Sequence, residues 1–596
     1  MRFAAAIVSF VLAFVLIGLG LAQRTVFAGP DRLVAEGTTS EDAPITVIDG
    51  WTLHAHEGRQ RLSISGAENV VAVYGRTPDV QAWVGEATHN VLTFDEETGS
   101  LESETVQGEE ETVPTALGSD LWLAEFTGEN ELTFTANVPE GISMLIMSDG
   151  AEPAPSEVSI SWPVDTRTPW AGPLIVAGVV LLLVGIGLYL WALSHWRRMR
   201  GPRRKSSTKQ KLPRPPRYSA RKAAKAVRPA PTSGDDVSSR GRRSSGRRRM
   251  IVVPGILVGT LAFSGCSADS WPQFEEIAPS PSPSAGEVEA AQSSLKDVAV
   301  TETQLRSIMA DVATVASEAD ANLDPDLLAT RFEGPALEVR LANYVMRAAD
   351  GAQPAPTPVH GEPIVLSLPQ QTDAWPRVAL VVVQDPEDES IAPMAYVLNQ
   401  ESPRENYHVQ YAVNLLATEE PFPQVAAETV GAVRYSPDNR FLTLAPEEVA
   451  AAYYDVLLKG AESEYAEEFD LEDDTFLAIA GPEARAARAA AVTGPGSLAT
   501  TRAEVTGERI ALATNDTGAL LAINLGDTET VTPTEAGATI NVGPTVKLMT
   551  GLTETTKGAF VTYSYQLLFY VPPAGSDEKI RLLGATEGVT AAGELP

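Results

Sequence analysis

Metal or acid–base chemistry in this chain would have to come from six histidines, one cysteine and a few acidic clusters. His54 and His56 stand two apart, so on a strand they would share a face and could share a metal. Zinc needs a third and a fourth ligand, and none stands at a telling spacing. Asp320, Asn322, Asp324 and Asp326 alternate as in a calcium loop, but Pro325 takes the place of the required glycine and Arg331 that of the closing glutamate. Helix capping accounts for these residues better. Asp470, Glu472, Asp473 and Asp474 read as a solvated loop. His360 lies in a proline-rich stretch and His408 on the polar side of a strand, neither with a carboxylate at a spacing useful for proton transfer. There is no Gly-x-Ser-x-Gly elbow. The residues therefore point to no catalytic group, no metal and no cofactor, and the expectation is a non-enzymatic protein.

The lone cysteine, Cys266, has an informative setting. Arg247, Arg248 and Arg249 precede a short apolar run, Ile251 to Phe263, and Ser264 and Gly265 separate that run from the cysteine. A basic start, a short apolar stretch and small residues are the parts of an export signal. The segment 250–266 resembles a bacterial lipoprotein signal, with Phe263, Ser264, Gly265 and Cys266 as its lipobox, which implies a lipid on Cys266. Phe263 departs from the aliphatic residue usual there. Pro254 suits a signal better than a helix interior. The alternative is a short third span with a buried cysteine. Cleavage before Cys266 would yield two polypeptides, as from a fusion of two neighbouring envelope proteins.

Two longer apolar runs lie upstream. Residues 1–23 read as a membrane anchor or a cleaved signal, and residues 173–196 as a membrane span, since about 20 apolar residues cross a bilayer. Trp191, Trp196, Arg197, Arg198 and Arg200 mark a cytoplasmic interface at the end of the second. The next stretch, 197–249, holds 20 Lys and Arg residues, among them Arg203, Arg204 and Lys205, against Asp235 and Asp236 alone. The whole chain has 45 basic and 78 acidic residues, a net charge of −33. The charge pattern thus predicts two acidic bodies outside the cytoplasm, joined by a disordered basic linker inside. Such a linker lies on anionic lipid, and the acidic bodies lack the cations that nucleic acid requires. One cysteine excludes any intramolecular disulfide.

The first outward body, 24–172, shows short alternating stretches such as Val70 to Tyr74 and Val158 to Trp162 between turn signals, which predicts an all-β sandwich. Residues 267–288 form a Pro/Ser tether. Two α+β domains are expected beyond it, 289–430 and 431–596, each with helices first and a curved antiparallel sheet after. Asp324-Pro325 and Ala445-Pro446 mark helix starts, and Gly460 a helix stop. Tyr407, Val409, Tyr411, Val413 and Leu415 alternate with polar or small residues, and Val561, Tyr563, Tyr565, Leu567 and Phe569 again fall at every second position.

In this order of elements the C-terminal half resembles tandem NTF2-like, cone-shaped domains. The resemblance implies a hollow between helices and sheet, which Tyr407, Tyr411, Tyr563, Tyr565 and Phe569 would line if it carried a lipid or another apolar ligand. The chain as a whole resembles uncharacterised actinobacterial membrane proteins and lipoproteins. The function expected is binding or assembly outside the cytoplasmic membrane, with membrane lipids and another envelope protein or a cell-wall polymer as partners. The alternatives are an apolar-ligand carrier and, less favoured by these residues, an envelope enzyme.

Overall fold

A computed structural model describes residues 2–25, 32–40, 43–138, 141–164, 170–199, 298–417 and 420–596. The lipobox with Cys266, the tether and the basic linker beyond position 199 lie outside them. The chain divides into two units, Met1–Gly29 with Thr166–Ser264 and Pro30–Asp165 with Gly265–Pro596.

The first unit holds helices α1 (Arg2–Thr25) and α4 (Ala171–Met199). Both are long and apolar enough to cross a membrane. They pack on each other through small residues, which let helix backbones approach. A Cβ on Gly20 would lie 2.6 Å from Ile175, and one on Gly178 2.6 Å from Ile17. Ser9 donates to the Leu181 carbonyl at 2.9 Å.

The second unit opens with a β domain: β1 (Arg32–Thr38), β2 (Ile45–Ile48), α2 (Gly50–Leu53), β3 (Gln60–Arg76), α3 (Thr77–Val84), β4 (His89–Asp95), β5 (Ser100–Val106), β6 (Ala124–Ala136), β7 (Ile142–Met147) and β8 (Glu157–Pro163). Where alternation predicts a two-sheet sandwich, these strands form one eight-stranded sheet, ordered β1-β8-β3-β7-β2-β4-β5 with β6 also on β3. The β2–β4 pair is parallel. The long strand β3 explains the difference. It pairs with β8 through Arg61–Ser65 and with β7 through Val71–Arg76. Between these stretches its register against β6 breaks. Gly66 sits in the break at φ +97, where a Cβ would lie 2.2 Å from Ser156 Oγ. A bulge of this kind bends a strand and increases its twist. The bent sheet holds Leu62, Ile64, Phe94, Met144 and Trp162 in one core. Val80, Trp83 and Val84 of α3 cover the opposite face of β2, β3 and β7.

The rest of the unit is an α+β body. Helices α5 (Glu302–Asn322), α6 (Pro325–Ala329) and α7 (Gly334–Ala349) precede β9 (Ile364–Pro369), β10 (Arg377–Val383), β11 (Met394–Gln400) and β12 (His408–Asn414). Then come α8 (Pro446–Lys459), α9 (Leu477–Ala480), α10 (Pro482–Ala491), β13 (Gly496–Arg502), β14 (Ile510–Ala513), β15 (Ala519–Pro533), β16 (Ile540–Asn541), α11 (Pro544–Thr550), β17 (Glu554–Thr555), β18 (Ala559–Val571) and β19 (Arg581–Glu594). Asp324 caps α6 by accepting from the Asp326 and Leu327 amides at 3.1 Å. Gly460 ends α8 at φ +59.

The two halves are not separate domains in the packing. The antiparallel sheets β12-β11-β10-β9 and β13-β15-β18-β19 share a core in which Leu380, Val397 and Val413 meet Leu512, Leu520 and Leu568. Helices α5 to α7 cover the outer face of the first sheet, and α8 and α9 that of the second, where Arg485 of α10 reaches Asp527 of β15. The order of layers is therefore helix, sheet, sheet, helix.

Local chemistry shapes several of these elements. Pro544 after Gly543 presets the first helical turn of α11. Strand β15 runs without a break from Ala519 to Pro533. The even alternation expected along 407–415 is interrupted, because Val397 pairs with Tyr411 but Leu398 with Val409. The extra residue, Gln410, sends Tyr407 and Val409 to the helix side and Tyr411 and Val413 to the shared core.

Candidate functional site: the junction of the β domain and the C-terminal body

Among the described residues, a heavily built polar site joins two parts of the chain between 183 and 321 positions apart. On the β-domain side it centres on α3. Arg76 ends β3, and Asp79 lies in the first turn of α3, where an acid complements the helix dipole. Arg76 grips Asp79 with two bonds, Nε–Oδ2 at 2.7 Å and Nη2–Oδ1 at 2.8 Å. From the body, Arg377 at the start of β10 reaches the same carboxylate, Nη2–Oδ1 at 2.7 Å. Arg377 is 0% exposed and Asp79 1%. The Arg377 guanidinium lies 3.6 Å from the Trp375 ring centroid and also donates to the Asp373 carbonyl at 2.9 Å. Arg76 answers in turn, donating to the Val298 and Ala299 carbonyls and to Asp373. Trp375 packs against the α3 core of the β domain.

The other end of α3 is held as well. Arg404 donates to the Trp83 carbonyl at 2.8 Å and the Val84 carbonyl at 3.0 Å, and pairs with Glu110 at 2.7 Å. A cation on the last carbonyls of a helix is favourable for the same dipolar reason. A third contact forms at the turn holding Asp120. Its carboxylate accepts from Arg331 at 2.5 Å and from the Tyr407 amide at 2.7 Å. Its own amide donates to Asn406 Oδ1 at 3.0 Å, and Asn406 Nδ2 donates to the Gly118 carbonyl at 3.0 Å. Gln304, which also completes the capping box of α5 with Thr301, donates to the Asp120 and Leu121 carbonyls. Burial pushes the Asp120 carboxyl above the usual carboxylate range, against the pull of Arg331 and the Tyr407 amide. Such a set of bonds matches the roughly 10 ± 5 direct hydrogen bonds of a typical protein–protein interface.

The residues singled out by sequence fall elsewhere. Arg197 is exposed on α4, whereas Arg200, Arg203, Arg204, Lys205, Phe263, Ser264, Gly265 and Cys266 are outside the described residues. The five aromatics do not line one hollow. Tyr407 belongs to the core between α5–α7 and the first sheet, Tyr411 to the core between the sheets, and Tyr565 and Phe569 to the core under α8 and α9, with Tyr563 at its margin. His54 and His56 sit in a turn after α2, not on a strand, and the His56 ring packs edge-on to Phe94 and Trp162. Asp320 pairs with Arg340 at 2.5 Å and accepts from Tyr344. Asp474 is buried rather than solvated. It accepts from Tyr453 at 2.7 Å and from the Phe476 amide at 3.0 Å, at the start of α9. His360 does have a carboxylate neighbour, Asp385, at 3.3 Å from an adjacent loop.

Two features had no sequence signal. Asp527, 0% exposed, accepts from Tyr454 at 2.8 Å and Tyr565 at 2.9 Å, beside Arg485 at 2.5 Å. A groove of about 890 Å³ on the β domain is lined by Glu36, Thr38, Ser63, Ser65, Glu102 and Glu157, among others. Among the described residues no group of three or more His, Cys, Asp or Glu side chains could hold a metal ion. Arginines 76, 331, 377 and 404 carry no periodicity that marks them; only Asp79, three residues after Arg76 at a helix start, has a local pattern.

In comparison with known proteins, the family described as "Domain of unknown function (DUF8094)" matches residues 296–594. No curated protein and no solved structure matches the chain. The matched span takes in the α+β body through β19 and none of the β domain.

Proposed function

The chain belongs to the DUF8094 family, and from that premise we propose that it is a non-enzymatic assembly protein of the cell envelope. In this reading α1 and α4 anchor the β domain in the membrane, and the β domain holds the family body at the outer face. There the body is presented to another envelope protein or a cell-wall polymer. The observation that carries the reading is the grip on α3 at both ends: Arg377 on Asp79 at its start and Arg404 on the Trp83 and Val84 carbonyls at its close. A buried Arg beside a Trp, ringed by partly exposed pairs such as Arg404–Glu110, is the composition of a binding hot spot and its rim. The Arg-rich stretch after α4 and the lipoprotein-like signal support the outward address. The carrier reading lacks comparable support, since its five aromatics are divided among three cores.

The test is a cross-link on wall-stripped cells. Glu110→Cys and Arg404→Cys are combined, and a short hydrophilic bis-maleimide is added from outside, with each single variant as control. The double variant is expected to gain an internal bridge that survives cleavage in the linker. Absence of that bridge in protein shown to be folded would overturn the reading.

A further inference from the structure

We infer that the junction operates between separate polypeptides: the β domain is a receptor for the DUF8094 body, and the two remain a one-to-one complex when the chain between them is cut. This rests on the proposed assembly role and names its partner.

Three observations carry it. First, neither part completes the other's framework. Among the described residues every sheet is built wholly from β1–β8 or wholly from β9–β19, and no strand crosses the junction. The apolar cores of those residues are likewise separate, with Trp375 alone reaching from the body into the α3 core. Two halves of one obligate domain would share a core, as the two sheets of the body do. Second, the junction has the chemistry of partners that meet after folding. Its centre is desolvated and ion-paired, Arg76–Asp79–Arg377, and its bonds run from side chains to backbone carbonyls that exist only once α3 and the turn at Asp120 have formed. Obligate interfaces are more apolar than this. Third, the family span begins at residue 296, past the Pro/Ser tether, and stops at 594. The family unit is thus the body alone, and a lipoprotein-like signal stands just where a separate body would begin.

The partner is accordingly recognised by definite groups. The β domain offers one carboxylate at Asp79, one at Asp120 and the carbonyl end of α3. The body must bring a cation to each, as Arg377, Arg331 and Arg404 do here.

The experiment uses the full chain in detergent, with a protease site inserted in the 197–249 linker and an affinity tag at the N-terminus. After cutting, the body is expected to stay with the tagged part in equal amounts. Arg404→Ala and Asn406→Ala, both at the margin of the junction and away from the core of the body, are expected to speed its release at least tenfold. Arg377→Met should do so more strongly. Parts that separate on cutting, while the uncut double-cysteine variant still forms its bridge between positions 110 and 404, would sink this inference and leave the assembly reading standing. Loss of the bridge in the uncut chain would sink both. Retention that none of the three variants weakens would show that some other surface holds the parts, and would overturn the inference as well.

Discussion

Asp79 supplies the sharpest quantitative test of the junction. Its Oδ1 is 2.8 Å from Arg76 Nη2 and 2.7 Å from Arg377 Nη2. The two guanidinium nitrogens are therefore at most about 5.5 Å apart, and at an effective dielectric of about 20 unit charges at that distance repel by roughly 3 kcal/mol. In the native protein the carboxylate offsets this repulsion. Asp79→Asn keeps the shape, removes the charge and leaves two buried cations facing each other. Removing one member of a buried pair costs about 3–5 kcal/mol, which agrees with the repulsion worked from the distances. Arg377→Met leaves Asp79 held by both bonds from Arg76, so its cost is expected to be smaller, about 2 kcal/mol. The double variant is the informative one. Without Arg377 there is no second cation to repel Arg76, so its loss should fall short of the sum of the single losses by roughly 3 kcal/mol, the size of the repulsion removed. The assay is urea unfolding of the full chain in detergent, with the slope checked to be common to all four proteins. With a slope of about 2–3 kcal/mol per M, Asp79→Asn should lower the midpoint by roughly 1–2 M. Single losses that add to within about 0.5 kcal/mol would refute the reasoning, because the three charges would then be acting independently.

Two further outcomes follow from buried hydroxyl and carboxyl groups in the body. The Tyr407 hydroxyl is buried without a hydrogen-bond partner, whereas that of Tyr565 donates to the fully buried Asp527. Tyr407→Phe is therefore expected to be neutral or slightly stabilising and Tyr565→Phe to cost about 1–3 kcal/mol; equal shifts in melting temperature would contradict this. Burial raises the Asp474 carboxyl above its ordinary value, against the donors Tyr453, Phe476 and Leu477. A carboxyl raised in the folded state binds its proton more tightly than in the unfolded chain. Its contribution is thus fully present below about pH 3.9 and is lost as pH rises through the folded value. Wild type should lose stability relative to Asp474→Asn from pH 4 to pH 7, as read from urea midpoints, and a difference that stays constant would exclude the buried-carboxyl account.

Elements whose cause lies within a few residues were legible in the sequence. The start of α6 at Asp324-Pro325 and the stop of α8 at Gly460 appear where local chemistry puts them. A cap is satisfied by amides two or three residues away, and a proline sets its own φ. The apolar lengths of α1 and α4 are likewise a property of composition. Periodicity gave the strands, but not which strands would meet. The single sheet of the β domain depends on β3 changing partner from β8 to β7 across the break at Gly66, and on β2 pairing in parallel with β4. One bulged residue, Gln410, was enough to divide Tyr407 and Tyr411 between two cores, so that they do not line together the hollow that the resemblance implied. A shift of one residue reverses every side chain beyond it.

By itself, then, the sequence determined two helices long and apolar enough to cross a membrane, the basic composition of the stretch after them and the α+β character of the body, because hydropathy, charge and capping act over short range. The tertiary structure alone decided the site. Arg76 and Asp79 stand apart from Arg377, and Asp120 from Arg331, by hundreds of residues. No local energy distinguishes those arginines from solvated ones. What makes them a site is their removal from water together, and that follows from how two separately built frameworks close on each other.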